Sequence, residues 1–314
     1  MSKKVAIIGG GLFGVSIADN LHKQGDVPVI YEREPELLTG ATTNNFARIH
    51  QGFHYPRCRA TIKECNDAFD AFAEYVKPAL QDDLPIYYAI CNENSFVSYD
   101  EYTTVFDSFD ITYIPDSWAP ITLNGMEGCI KCFERYYDQE KIVPVLKDKI
   151  DNVDILLNYK IESIQETDNH ILIDGEQFDA AINCTWSNIN DVVKLANYIP
   201  TVYEYRHTVE FIVQCDIPRH STTVMDGNFF CITPYNDDGL YILSHVVYGN
   251  LETYISTFRR SLNYNRELIN HIFQKCIYHI SEFAPELATA KMVDIMPSSK
   301  IIDTSIYDAR PSRT

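Results

Sequence analysis

The chain has 314 residues, 26 Lys plus Arg against 44 Asp plus Glu, a net charge of −18, 46% apolar and 22% charged residues. That apolar content supports a sizeable core and excludes a disordered chain, and no run approaches the ~18 apolar residues of a membrane span. The acidic balance excludes nucleic acid as a partner, because a phosphate backbone needs a basic face; it says little about small ligands. A length of this order holds one large domain or two ordinary ones. The nine cysteines are odd in number and irregularly spaced. Lys3 and Lys4 precede only four apolar residues, which is not a signal peptide. The thiols therefore read as reduced, in a cytoplasmic protein.

Val5-Ala6-Ile7-Ile8 reads as a strand buried on both faces of a parallel sheet. Gly9-x-Gly11-x-x-Gly14 follows, then a helix carrying Val15, Ile17, Ala18 and Leu21, ended near Gly25. Val27-Pro28-Val29-Ile30-Tyr31 is a second strand, closed by Glu32. Each part has a physical use in holding a dinucleotide. Gly9 permits a tight turn, Gly11 lets backbone approach a pyrophosphate, and Gly14 lets the helix lie close to the strand. The helix N-terminus offers free N–H groups and a positive dipole. Glu32 can accept from a ribose hydroxyl and disfavours a 2′-phosphate, so NADP is set aside. The choice of dinucleotide stays open on this pattern alone.

Residues 39–59 depart from a nicotinamide-type Rossmann domain: the stretch is polar, rich in Asn and His, and without an amphipathic period. A helix is expected from Ala60 to Lys77, stopped by Pro78. Here the sequence resembles the FAD-dependent oxidoreductases of the D-amino-acid oxidase superfamily, nearest the branch of the L-2-hydroxyglutarate oxidases. The glycine motif with Glu32 is the first shared piece. The second and most specific is Gly40-Ala41-Thr42 leading into Arg48-Ile49-His50-Gln51-Gly52-Phe53-His54-Tyr55-Pro56, similar to that branch's Ile-His-x-Gly-x-x-Tyr. The third is Ala181-Ile182-Asn183-Cys184-Thr185-Trp186, similar to the family's Val-Asn-Ala-Thr/Ala-Gly strand end. The resemblance implies FAD as cofactor. It implies contacts to it from Gly9, Gly11, Leu12, Phe13, Gly14, Glu32, Arg33, Ala41, Thr42, Ile161, Cys184, Thr185 and Trp186.

Further along, strands are expected at Leu84–Ile90 and Ile111–Ile114, and a helix over 138–150 capped by Asp138 and kinked or shifted by Pro144. Val153 to Thr185 reads as strands with turns at Asp168-Asn169 and Asp174-Gly175. Residues 200–248 are strand-like and 251–284 helical. The fold class is α/β (α+β overall): a Rossmann-like FAD-binding domain with a discontinuous, mainly antiparallel β substrate domain. The expected division is 1–78, 138–199 and 290–314 for FAD, and 79–137 with 200–289 for substrate. The family continues past an Arg-Pro, here Arg310-Pro311, into a strand, a glycine turn and a helix against the flavin. The expectation is that this element is missing.

The flavin carries the redox chemistry, and protein groups orient the substrate. A guanidinium suits a carboxylate-bearing small molecule, which makes Arg48, Arg57, Arg59, Arg206 and Arg310 candidates, with Arg310 favoured by the family's Arg-Pro. His50 and His54 are candidates for taking a proton from a hydroxyl or amine, or for a covalent bond to the flavin, as in some relatives. Tyr55 and His245, and behind them His207 and Tyr205, are candidates for the substrate pocket. No metal is expected: His50-x-x-x-His54 is a ligand spacing only on a helix, and Cys129-x-x-Cys132 in a strand points its thiols to opposite faces. The leading reading is oxidation of a C–N or C–O bond of an amino-acid or hydroxy-acid type molecule by hydride transfer to flavin. Two others stand beside it: a catalytically incomplete FAD-binding protein or scaffold, and an NAD-dependent oxidoreductase. The electron acceptor is left open.

Overall fold

A computed structural model describes residues 2–81, 84–236 and 239–303. In chain order its first elements are β1 (Lys4–Ile8), α1 (Leu12–Lys23), β2 (Val27–Tyr31), β3 (Arg48–Ile49), α2 (Arg59–Tyr75), β4 (Leu80–Gln81), β5 (Ile86–Cys91), α3 (Tyr99–Asp107), β6 (Tyr113–Ile114), β7 (Met126–Cys132), β8 (Arg135–Tyr137) and α4 (Gln139–Asp148). There follow β9 (Asp154–Leu156), β10 (Ile164–Glu166), β11 (Ile171–Ile173), β12 (Glu176–Phe178), β13 (Ala180–Asn183) and α5 (Ile189–Leu195). The last are β14 (Tyr203–Gln214), β15 (Ser221–Met225), β16 (Phe230–Pro234), β17 (Leu240–His245), β18 (Asn250–Ser256), α6 (Arg266–Phe283) and β19 (Lys291–Asp303).

Four strands pair in parallel in the order β13-β1-β2-β9. Val5, Ala6, Ile7 and Ile8 are all buried, as a strand covered on both faces must be. Helix α1 covers one face. The three-stranded meander β10-β11-β12 covers the other through Ile164, Ile173 and Phe178. The second unit is a nine-stranded sheet, ordered β18-β14-β17-β16-β15-β5-β7-β6 with β19 also on β14. Its pairs are antiparallel except β15 with β5. Alternation divides its two faces. Phe211, Val213, Phe230, Ile232, Tyr241 and Leu243 pack under α6, while Ile86, Tyr88, Ile90, Cys132 and Met225 share one core with Ile7, Val15 and Ile62. That shared core fixes the inner face of the large sheet against the parallel-sheet unit. Cys129 and Cys132 do lie on opposite faces, one in each core. Among the described residues no helix is long and apolar enough to cross a membrane.

Three expectations change. Residues 251–256 are not the start of a long helix but the strand β18, with Tyr254 buried and Ile255 exposed in strand alternation; α6 begins only after Asn265, whose side chain accepts from Leu268 N at 2.8 Å. Helix α3 interrupts a stretch that reads as strands, and its Ser98–Glu101 capping box was the local signal for it. Residues 291–303 do not join the parallel sheet: β19 pairs with β14 along its length, from Gln214↔Lys291 to Tyr203↔Asp303. Helix α4 starts on its Asp138 cap and runs through Pro144.

Candidate active site

The turn from β1 to α1 requires two of its glycines, Gly9 and Gly14, for internal reasons, because at both an added Cβ would meet backbone; at Gly10 it would meet the end of a side chain. Gly9 has φ +106°, and a Cβ there would meet the Cys184 carbonyl oxygen at 2.8 Å. A Cβ on Gly10 would sit 2.2 Å from Leu37, and one on Gly14 would sit 1.9 Å from the Gly9 carbonyl oxygen. Gly11 differs: its nearest neighbour would be Thr42 Oγ1 at 3.5 Å, an ordinary contact. The fold needs no glycine there, whereas a pyrophosphate approaching backbone does. Gly11 is also the N-cap of α1, with no side-chain cap and no acid in the first turn, so the positive end of the helix is left for an anion. Leu12 N donates to the buried Thr42 Oγ1 at 3.0 Å, while Phe13 is 64% exposed beside it.

Glu32 closes the loop from the other strand. Its carboxylate accepts from Gly10 N at 2.7 Å and Glu34 N at 2.9 Å. Arg33 is exposed and bonded to Glu34. Past the end of β13, Thr185 donates through both N and Oγ1 to the Asn183 side chain. Trp186 has φ +51°, is 48% exposed, and donates from Nε1 to the Ser299 carbonyl of β19 at 3.0 Å. This is where the resembling motif has glycine, and the left-handed backbone is the reason. Ile161 is buried in the core with Ile8 and Tyr31, so its side chain is a packing residue and only its backbone is left for a cofactor. These features fit the pyrophosphate and ribose of FAD.

The segment after Thr42 runs from this cradle to the large sheet. Asn45 knots it, donating to the Ala41 and Thr42 carbonyls and accepting from Ala47 N at 2.6 Å. Arg48, on β3, then crosses to the inner face of the sheet. Its NH1 donates to Tyr88 Oη at 3.1 Å and Thr223 Oγ1 at 3.0 Å; its NH2 donates to Ser221 Oγ, to Thr233 Oγ1 at 3.0 Å and to Cys231 Sγ at 3.6 Å. Glu134 Oε2 lies 4.0 Å away. The expectation that Arg48 holds a substrate carboxylate is overturned, because its terminal nitrogens are buried and engaged. Gly52, at φ +108° with its Cβ direction 2.8 Å from Ile62 Cα, brings α2 against the next turn. That turn gathers three expected residues: His50 and His54 ring centres are 5.6 Å apart, His54 and Tyr55 5.3 Å, and His50 and Tyr55 6.2 Å.

Beneath them lies Glu134, which the sequence reading missed. Its Oε2 accepts from Tyr88 Oη at 2.7 Å and lies 3.4 Å from His50 Nδ1, while its Oε1 accepts from Gln51 N at 2.8 Å. Burial alone would push this carboxyl up; His50, Arg48 and the Tyr88 hydroxyl hold it below the ordinary range instead. The Tyr88 phenol is raised far above its usual value by burial and by Glu134. A lone acid next to Phe133 has no spacing signature, so only the fold reveals it. Ser221, Thr223, Cys231 and Thr233 escaped for a related reason: small polar residues in strand alternation look like an exposed face.

The structure gives the other candidates that it describes partners of their own. His245 lies on the α6 side of the sheet, its Nε2 2.9 Å from His279 Nδ1 and its Nδ1 accepting from Val247 N and Tyr248 N; strand alternation turns it away from the inner face. Buried His207 is held between Ser299 and Tyr254, and Tyr205 is stacked on Tyr254. Arg57 is paired with Asp226, Arg59 lies over Phe109, and Arg206 is bonded to Glu204. Arg310 lies outside the described residues. Two surface cavities, of about 490 Å³ around Tyr99 and Tyr113 and about 300 Å³ around His22 and Asp154, share no residue with the cradle.

The sequence matches the family model of the FAD dependent oxidoreductases over residues 4–296. The chain belongs to that family. The match is to the family as a whole and singles out no branch. FAD-dependent monooxygenase FPY4 of Fusarium mangiferae is 28% identical over 243 residues, 77% of this chain and 63% of that protein. FAD-dependent monooxygenase kojA of Aspergillus flavus is 27% identical over 301 residues, 87% of this chain and 68% of that protein. The chain thus spans about two thirds of the length of these relatives. Among solved structures, L-alpha-glycerophosphate oxidase from Mycoplasma pneumoniae with FAD bound superposes with TM-score 0.75 at 14% identity, over 98% of this chain and 85% of that one. Glycine oxidase from Geobacillus kaustophilus gives TM-score 0.73 at 13% identity, over 97% and 84%. At such identities these neighbours bear on the fold alone, a mixed α/β flavoenzyme architecture.

Proposed function

We propose that this protein is an FAD-dependent enzyme that oxidises a C–N or C–O bond of an amino-acid or hydroxy-acid type small molecule. The parallel sheet, with β13 and the glycine turn, holds the cofactor, and the inner face of the large sheet meets the substrate. One observation carries the reading. The segment 42–55 is bonded at its start to the N-terminus of α1 and ends in His50, His54 and Tyr55, beside the buried Arg48–Tyr88–Glu134 group. It links the pyrophosphate cradle to a set of proton-handling side chains. FAD, when bound, supplies the hydride acceptor. The chain's own residues orient the substrate and take its proton, at His50 or His54. Arg310 is the proposed partner of a substrate carboxylate.

The test is a visible spectrum of the purified chain, then anaerobic addition of amino and hydroxy acids. Bleaching of the flavin band by substrate alone supports the proposal. The names of the fungal relatives favour a second reading, a monooxygenase. Such an enzyme needs an external reductant and leaves an oxygen atom from O2 in its product, so substrate alone would leave the band unchanged. Flavin that stays with the denatured chain on filtration would mean a covalent bond, with His50 and His54 the first residues to replace.

A further inference from the structure

We propose that Glu134 and Tyr88 position His50 as a proton acceptor by fixing its tautomer, with the hydrogen on Nδ1 and the lone pair on Nε2. This rests on the reading of His50 as an active-site residue and adds the groups that orient it. His50 Nδ1 has two polar neighbours, Glu134 Oε2 at 3.4 Å and Tyr88 Oη at 3.4 Å. Neither has a hydrogen to give it. The Tyr88 hydroxyl points its hydrogen at Glu134 Oε2 at 2.7 Å, and its oxygen accepts from Arg48 NH1 at 3.1 Å. The Glu134 carboxyl is held below the usual range despite complete burial, so near neutral pH it is ionised and only accepts. Two acceptors facing one ring nitrogen require the hydrogen to be on that nitrogen.

The arrangement is anchored at every point. Gln51 N donates to the second Glu134 oxygen at 2.8 Å, so the carboxylate cannot turn without abandoning a backbone donor. Arg48 is fixed in turn by Ser221, Thr223 and Thr233 on the large sheet. Donation therefore runs in one direction, from Arg48 to Tyr88 to Glu134, with the His50 hydrogen meeting the same acceptors from the other side. The His50 side chain stays 28% exposed, and its Nε2 has no hydrogen-bond partner among the described residues. In the reaction, the proton of the substrate O–H or N–H bond passes to Nε2. FAD, when bound, would accept the hydride from the adjoining C–H bond, which leaves a carbonyl or imine. The resulting imidazolium is stabilised by the Glu134 carboxylate behind it.

The experiment is a two-bond 15N–1H correlation spectrum of the histidines in the FAD-loaded chain, which distinguishes the two tautomers; the His50→Gln spectrum identifies the His50 signals. The wild-type protein is expected to show His50 as the Nδ1–H form. In Glu134→Gln the side-chain amide offers Nδ1 a donor, so the His50 hydrogen moves to Nε2. Substrate-dependent flavin reduction then falls about 10²–10⁴-fold, the usual range for a lost general base, at unchanged flavin content. Glu134→Asp keeps an acceptor and retains the tautomer. A wild-type His50 in the Nε2–H form overturns the proposal even if Glu134→Gln does not fold, and so does an unchanged tautomer in Glu134→Gln. An expected tautomer in a chain whose flavin no amino or hydroxy acid reduces would sink the function reading and leave the positioning standing.

Discussion

Replacing Gly11 and Gly14 separately by alanine should divide ligand binding from folding. At Gly14 the added methyl would lie 1.9 Å from the Gly9 carbonyl oxygen, a backbone atom that cannot swing aside. Relieving the clash means moving α1 off β1 by more than an ångström, within a core where Ile7 and Val15 are fully buried. Overpacking of this kind costs about 1–3 kcal/mol or more, against a helix-propensity gain of about 1 kcal/mol for Gly→Ala. At Gly11 the methyl meets only Thr42 Oγ1 at 3.5 Å, and its φ of −77° suits any residue. Folding should change there by about 1 kcal/mol at most, the size of an N-cap effect. A pyrophosphate touching that backbone would lose its contact, weakening FAD by about 10–100-fold, or about 1.4–2.8 kcal/mol. Urea unfolding of the flavin-free chain and FAD titration followed by flavin fluorescence measure the two quantities. An unshifted unfolding midpoint in Gly14→Ala would refute the packing argument. Wild-type FAD affinity in Gly11→Ala would refute the open-cradle argument.

Arg48→Met should destabilise the chain by about 3–5 kcal/mol, because it leaves the Glu134 carboxylate buried without its guanidinium; a urea-midpoint change worth under ~1 kcal/mol would show the network to be dispensable. Trp118 and Trp186 are the two tryptophans, and Trp186 stands at the end of β13 beside the glycine turn. FAD should quench its emission, and most of that quenching should vanish in Trp186→Phe; equal quenching in both proteins would place the flavin elsewhere. Glu210 lies buried on the inner face of the large sheet, with Oε2 unpaired among the described residues and Lys300 3.6 Å from Oε1. Burial raises its carboxyl above the ordinary range, so the folded chain holds this proton more tightly than the unfolded one. That contribution is present below the unfolded value and is lost as pH rises through the folded one. Glu210→Gln should therefore gain stability over wild type as pH rises above the ordinary carboxyl range, by about 1.4 kcal/mol per pH unit until the folded carboxyl ionises; a difference independent of pH would refute it.

The cradle was legible in the sequence because it is local. A strand, three glycines at fixed spacing, a helix and an acid at the next strand's end each leave a mark within some thirty residues. The structure adds that Gly9 and Gly14 answer to the Cys184 and Gly9 carbonyls, while Gly11 meets no more than an ordinary contact with Thr42 Oγ1. Strand alternation likewise placed Cys129 and Cys132 on opposite faces before any fold was known. The clustering of His50, His54 and Tyr55 was foreshadowed only by their shared segment. What the sequence by itself determined is the βαβ unit, the parallel sheet beside a mainly antiparallel one, and the acidic end of β2. What only the tertiary structure decided is which polar residues are buried together. Arg48, Tyr88, Glu134, Ser221 and Thr233 come from five strands or their edges, up to 185 positions apart. His245 and Cys231 lie on paired strands one position out of register, His245 opposite Phe230 and Cys231 opposite Ser244, and so fall on different faces of one sheet. Which face a strand residue occupies follows from period two, but which face meets the cofactor is set by how two sheets pack, and no local spacing records that.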